Sequence, residues 1–192
     1  LGIVEKRIEK LQADIKKKGQ KEKEQELQLM ERLKECLEQE QPLRHIDFSE
    51  DEQRLLRGYQ FLTAKPMLVV LNIGEDELQQ PGAYKSVVEE NATQGIPTVL
   101  LSAEIESEIA QLEEQEDIEA FMQDMGITES ARDRLTRTAY ETLGLISFFT
   151  VGDDEVKAWT IHRGDCALDA ARTIHSDLAR GFIRAQCFSY ND

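Results

Sequence analysis

The sequence of 192 residues predicts an α/β protein, in which part of a parallel sheet carries an antiparallel helical-hairpin insertion and is followed by a small strand-rich module. Three observations predict it. Apolar residues recur at helical spacing through the first 40 positions. An uninterrupted apolar run, 67–71, and a second strand-like segment, 96–101, flank a helix-forming stretch. After Gly144 the pattern changes to short alternating segments divided by turn residues.

Leu1, Val4, Ile8, Leu11 and Ile15 are spaced alternately by three and four, with Lys, Arg and Glu between them, which is an amphipathic helix of coiled-coil type. Such a helix needs a partner. Lys21 to Glu40 supplies one, with Leu29, Met30, Leu33 and Leu37 on one stripe before Pro42 stops it. The two read as an antiparallel hairpin over residues 1–44, turning near Lys18-Gly19-Gln20.

Ser49-Glu50-Asp51-Glu52 has the composition of a capping box, so a helix is expected from there to about Leu62, burying Leu55, Leu56, Tyr59 and Leu62. Lys65-Pro66 breaks it. Met67 to Leu71 then has the length and composition of a fully buried parallel strand. Pro81-Gly82 opens a helix to about Ala92, and Ile96 to Leu101 is a second strand, completing a βαβ unit. One helix is expected over Glu104 to Glu119, and another over Gly126 to Leu143 with Arg132, Arg134 and Arg137 on its polar side. Residues 45–142 thus form the sheet segment.

In residues 143–192, Leu145 to Thr150 and Glu155 to Ile161 read as a hairpin across Val151-Gly152-Asp153-Asp154. Asp165 begins a helix with Leu168, Ala171, Ile174 and Leu178 on its buried face and Gly181 as its cap, and Arg184 to Tyr190 alternates as a third strand. This ββαβ order is the first part of a β-grasp module. Leu1 already sits inside a helical repeat, and Asn191-Asp192 directly follows a strand-like segment, so the sequence reads as a fragment.

Asp and Glu number 38 against 23 Lys and Arg, a net charge of −15, which excludes a surface lying wholly on nucleic-acid phosphate or anionic lipid. Cys36, Cys166 and Cys187 are far apart and form no CxxC pair, so neither a zinc site nor a disulfide framework is expected. No apolar run approaches the ~20 residues that cross a bilayer. A reducing, cytoplasmic setting is the expectation.

In an open α/β sheet the ligand lies outside the carboxyl ends of the strands. Two loops qualify here, Asn72-Ile73-Gly74-Glu75 and Ser102-Ala103-Glu104. The Asn72 amide can donate and accept, Glu75 adds an acceptor, and the Ser102-Ala103 turn can present backbone N–H groups to the edge of a flat heterocycle. By spacing alone NxxE is a weak signal, and it fits better an Asn that turns the chain and a Glu that caps the next helix.

Lys65 to Glu75, followed by Ser102-Ala103-Glu104-Ile105-Glu106, resembles the fourth and fifth nucleotide-binding motifs of the YchF family of Obg-like ATPases. Val156 to Ile161, Ile174 to Asp177 and Arg180 to Ala185 are similar to that family's TGS domain. The resemblance implies a P-loop-type sheet, base binding by Asn72, Ile73, Glu75, Ser102 and Ala103, slow hydrolysis of ATP with Mg²⁺ in the intact protein, and association with ribosome or RNA. It also implies ATP preference: where GTPases have NKxD, Ile73 and Glu75 stand in the Lys and Asp places, and the longer carboxylate is misplaced for guanine. This stretch contains no GxxxxGK[ST], so the chain alone is expected to be inactive and to hold no nucleotide tightly.

Lys16, Lys17, Lys18, Lys21 and Lys23 cluster at the expected hairpin tip, where they could reach phosphate while the acidic body stays away, or simply solvate a turn. His175-Ser176-Asp177 has the residue types of a hydrolase triad, but neighbours on one helix cannot form a relay. His45 and His162 lack companion metal ligands, Trp159 is expected in the core of the small module, and Glu113 to Asp117 reads as a solvated face. The competing reading of the chain is a non-enzymatic adaptor built from a coiled coil and a β-grasp module.

Overall fold

A computed structural model of the chain describes residues 1–18, 21–78, 80–152 and 154–189. It divides into two compact units, Leu1–Pro66 and Met67–Asp192.

In the first unit, α1 (Gly2–Lys18) and α2 (Lys21–Glu38) pair along the stripe read from the sequence. Val4, Leu11, Leu29, Met30 and Leu33 are almost wholly enclosed, and Leu43 of the short turn Leu43–His45 joins them. Cross-links confirm the antiparallel sense: Lys23 Nζ lies 2.9 Å from Asp14 and Lys34 Nζ 4.0 Å from Glu5. The expected turn at Gly19-Gln20 lies outside the described residues. One polar cluster enters the seam. Arg7 donates from Nε and a terminal nitrogen to Glu26 at 2.8 and 2.7 Å, and the Tyr59 hydroxyl donates to the same carboxylate at 2.8 Å. Glu26 is 8% exposed, and the Arg7 hydrogen bonds hold its carboxyl below the ordinary range despite that burial.

The Ser49 capping box forms, with the Ser49 N–H donating to Glu52 at 2.8 Å and the Glu52 N–H to Ser49 Oγ at 3.4 Å. The helix it starts, α3 (Glu50–Leu56), is shorter than expected. Gln60 takes a left-handed backbone (φ 49°), and a separate turn, Leu62–Ala64, follows. Leu56 and Tyr59 pack on the core as expected, whereas Leu55 and Leu62 are exposed, because the chain leaves helical geometry before its periodicity could return them to the core.

In the second unit, β1 (Val69–Asn72) and β2 (Thr98–Leu101) pair in parallel, Val69 opposite Thr98 and Asn72 opposite Leu101. Between them run α4 (Glu75–Leu78), the turn Pro81–Tyr84 and α5 (Lys85–Thr93). The expected complete burial of the first strand is corrected: Val69 and Leu71 are half-buried, and Val70 is 41% exposed. A sheet of two strands leaves one face of the alternation partly open. The acidic stretch is two helices, α6 (Ala103–Ile109) and α7 (Gln115–Asp124). The next helix, α8 (Ala131–Thr142), starts later than expected because Gly126, at φ 67°, terminates the preceding helix and Ser130 caps the new one.

β3 (Leu145–Val151) and β4 (Val156–His162) form the antiparallel hairpin, with Phe148 opposite Trp159. The expected single helix is α9 (Ala167–Ile174) and α10 (Ser176–Arg180), broken at His175, whose backbone is extended. Arg184 to Ser189 is not a strand, and Tyr190 lies outside the described residues. Alternation alone cannot satisfy backbone N–H and C=O groups. A strand needs a ladder partner, and the strand pairings among the described residues, β1 with β2 and β3 with β4, do not include this segment.

Candidate functional site

The parallel ladder ends where the two expected loops begin. Ile73 extends it by one hydrogen bond, its N–H donating to the Leu101 carbonyl at 2.9 Å. One residue back, Asn72 points its side chain across the gap, and its Oδ1 accepts from the Ala103 N–H at 3.0 Å. Ala103 is the first residue of α6, so this N–H is a donor that the helix itself cannot satisfy. Ser102, at the cap position, makes no side-chain cap bond, and Asn72 does that work from the neighbouring strand. Since a backbone amide only donates, the contact fixes the amide's orientation and leaves Nδ2 as a donor at the strand tips.

Glu75 begins α4 with an exposed carboxylate that, among the described residues, has no hydrogen-bond or ion-pair partner. The helix-capping role that its spacing also allowed belongs to Glu77. The Gly74 N–H donates to Glu77 Oε2 at 2.8 Å, and the Tyr84 hydroxyl donates to Oε1 at 2.6 Å. These bonds, Tyr84 first, lower the Glu77 carboxyl below its usual value. The structure thus brings Asn72 and the Ser102-Ala103 turn together, with Glu75 one short loop away. Two details differ from the expectation. The Ala103 N–H is taken by Asn72 instead of facing a ligand. Ile73 turns its side chain inward, 7% exposed, where it lines a cleft of about 630 Å³ with Leu78, Leu101 and Ile105.

Two supporting residues escaped the sequence reading. Glu106, the last residue of the SAxxE segment, accepts from the Ala131 N–H at 2.7 Å and from the Arg132 N–H at 3.4 Å, so it caps α8. Arg134, read only as a polar-face residue, donates to the carbonyl of Leu100 on β2. Together they brace the second loop from behind. SAxxE contained the only signal for Glu106, and nothing local marked its partner.

Elsewhere, Lys16 is exposed and Lys23 is paired with Asp14, while the side chains of Lys17, Lys18 and Lys21 lie outside the described residues. His175 Nδ1 accepts from the Asp177 N–H at 3.1 Å and so caps α10. The Trp159 indole donates to Thr150 Oγ1 at 2.9 Å, with Lys157 over its ring. Among the described residues no helix is long and apolar enough to cross a membrane.

The model YchF-GTPase_C, described as a protein of unknown function (DUF933), matches residues 145–192. Ribosome-binding ATPase YchF of Bacillus subtilis is 41% identical over 98% of this chain, and the Pasteurella multocida protein of the same name is 40% identical over all of it. The chain belongs to the YchF family. It spans 52% of both those relatives. Obg-like ATPase 1 of Caenorhabditis elegans is 32% identical over 96% of the chain. The solved Schizosaccharomyces pombe YchF GTPase superposes with a TM-score of 0.79 at 28% identity, covering 94% of this chain and 50% of that one. The mixed α/β architecture is therefore that of a YchF structure.

Proposed function

We propose that this chain carries the base-reading edge of an Obg-like ATPase, and that the intact protein binds and slowly hydrolyses ATP with Mg²⁺, takes GTP less well, and acts on the ribosome or RNA in the cytoplasm. The observation that carries this reading is the hydrogen bond from the Ala103 N–H to Asn72 Oδ1, 3.0 Å long, which joins the two loops at the strand tips. The Asn72 Nδ2 donor suits the N7 acceptor of a purine. Glu75 is a free acceptor for an exocyclic amine, and its extra methylene displaces it from the place where a shorter carboxylate would meet both donors of guanine. Names of the relatives, Ribosome-binding ATPase YchF and Obg-like ATPase 1, support the activity and the partner.

The residues present fit a base and not the rest of the nucleotide. No GxxxxGK[ST] occurs in the sequence, and among the described residues no group of three His, Cys, Asp or Glu could hold a metal ion. No hydrolytic step is assigned to these side chains. Residues 1–44 are proposed as the hairpin insertion, 45–142 as part of a P-loop-type nucleotide domain, and 143–192 as an incomplete TGS-type β-grasp module. The lysines around the hairpin tip, Lys16 to Lys18 with Lys21 and Lys23, are proposed to contact ribosomal phosphate.

Titrating the chain with adenosine and guanosine while following amide shifts by NMR tests the base reading. Adenosine should move the Asn72 side-chain amide and the Ala103 amide, and Asn72→Ala should abolish the response. Equal shifts with guanosine, or shifts centred away from both loops, overturn it.

A further inference from the structure

Unit Leu1–Pro66 carries a concavity of its own, a groove of about 400 Å³ beside α3. Its floor is apolar: Leu43, Ile46, Leu56, Phe61 and Ala64 line it. Three cations, Arg44, Arg57 and Lys65, also line it, and its lining contains no carboxylate. Among the described residues none of the three forms an ion pair, in a chain where most of the Arg residues on the helices are paired with acids. Arg44 Nε is moreover buried with no hydrogen-bond partner. A buried guanidinium N–H left open is costly unless something accepts from it. Gln60, also in the lining, holds a left-handed backbone, a strain of the kind that gathers at binding sites.

We propose that this groove binds a short acidic peptide segment of another protein, its aliphatic or aromatic side chains on the floor and its carboxylates on Arg44, Arg57 and Lys65. Charge complementarity selects the occupant. The net charge of −15 opposes an anionic visitor at long range, but the Debye length at physiological salt is about 8 Å, so the local rim decides the contact. Nucleic acid fits less well, because single strands are held by stacking bases on open ring faces. One face of Phe61 is stacked on Tyr59, with centroids 5.3 Å apart, and Arg32 sits over Phe48 at 5.6 Å. The remaining floor is aliphatic.

The test is fluorescence anisotropy on the full chain with a fluorescein-labelled peptide of alternating leucine, phenylalanine and aspartate. The comparison ligands are the same peptide with lysine for aspartate, and labelled oligouridylate. The acidic peptide should bind saturably and the lysine peptide should not. Arg57→Glu combined with Lys65→Glu should weaken binding by about tenfold or more, the factor that about 1.4 kcal/mol represents. Both residues are exposed, so the variant should keep its helical circular dichroism. The single change Lys65→Glu serves as a second variant, with an intermediate loss. No binding of the acidic peptide, equal binding of the lysine peptide, affinity unmoved by charge reversal, or oligouridylate displacing the peptide from the groove would each overturn the proposal.

Discussion

Glu26 lies at the centre of a buried polar cluster in the helical hairpin, and its replacement by Gln offers a stringent check on what holds the first unit together. The carboxylate accepts two hydrogen bonds from Arg7 and one from Tyr59, at 2.7–2.8 Å, while being 8% exposed. Hydrogen bonds to a charged group contribute roughly 1.5–3 kcal/mol each in enclosed sites. The Arg7 side chain is 31% exposed, so solvent screening reduces its share, and Gln keeps one acceptor. A net cost of about 2 kcal/mol results, part of it the desolvated guanidinium left underpaired. For a chain of this size ~1 kcal/mol moves the melting temperature by about 2–4 °C, so Glu26→Gln should lower it by about 4–8 °C. Acid should erase the difference. The folded carboxyl titrates below its unfolded value, so its stabilisation is complete above the unfolded value and disappears as pH falls through the folded one. Thermal melts by circular dichroism of wild type, Arg7→Met, Glu26→Gln and the double variant measure the coupling. Strictly additive single effects, or a Glu26→Gln melt equal to wild type at neutral pH, would refute the argument.

Leu33 is wholly buried between the hairpin helices, and Leu33→Ala should cost about 2–5 kcal/mol in urea unfolding, against a few tenths for an exposed hairpin position. Glu106→Ala removes the carboxylate that caps α8, and should cost about 1 kcal/mol and speed hydrogen exchange at the Ala131 and Arg132 amides, while α9 exchanges as before. In a carboxyl titration by NMR, Glu77 should titrate below the ordinary glutamate range, and Tyr84→Phe should raise it, since the tyrosine hydroxyl is the chief cause of the shift. Its loop contact should accordingly persist above that range and be lost as pH falls through the lowered value.

Local sequence pattern located the hairpin helices, both parallel strands and the β3–β4 pair, because each is encoded by residues close together in the chain. Ser49 and Glu52 announced their helix start for the same reason: both partners lie within three residues. Endings were less legible. The helix after Ser49 stops at Leu56, and the one over Asp165 to Gly181 breaks at His175, where caps and left-handed residues compete with a periodic pattern that continues past them.

At the candidate site, sequence alone located the loops, since ligand edges follow the carboxyl ends of parallel strands. It could not say that Asn72 caps a helix starting 31 positions later, that Glu77 and not Glu75 closes the first loop, or that Glu106 and Arg134 brace the second. Those assignments depend on which backbone donors the fold leaves unsatisfied and which side chain stands nearest to them. Arg184 to Ser189 shows the same limit from the other side: alternation encodes a strand's faces, but hydrogen bonding to a neighbour makes it a strand, and that neighbour is supplied only in three dimensions.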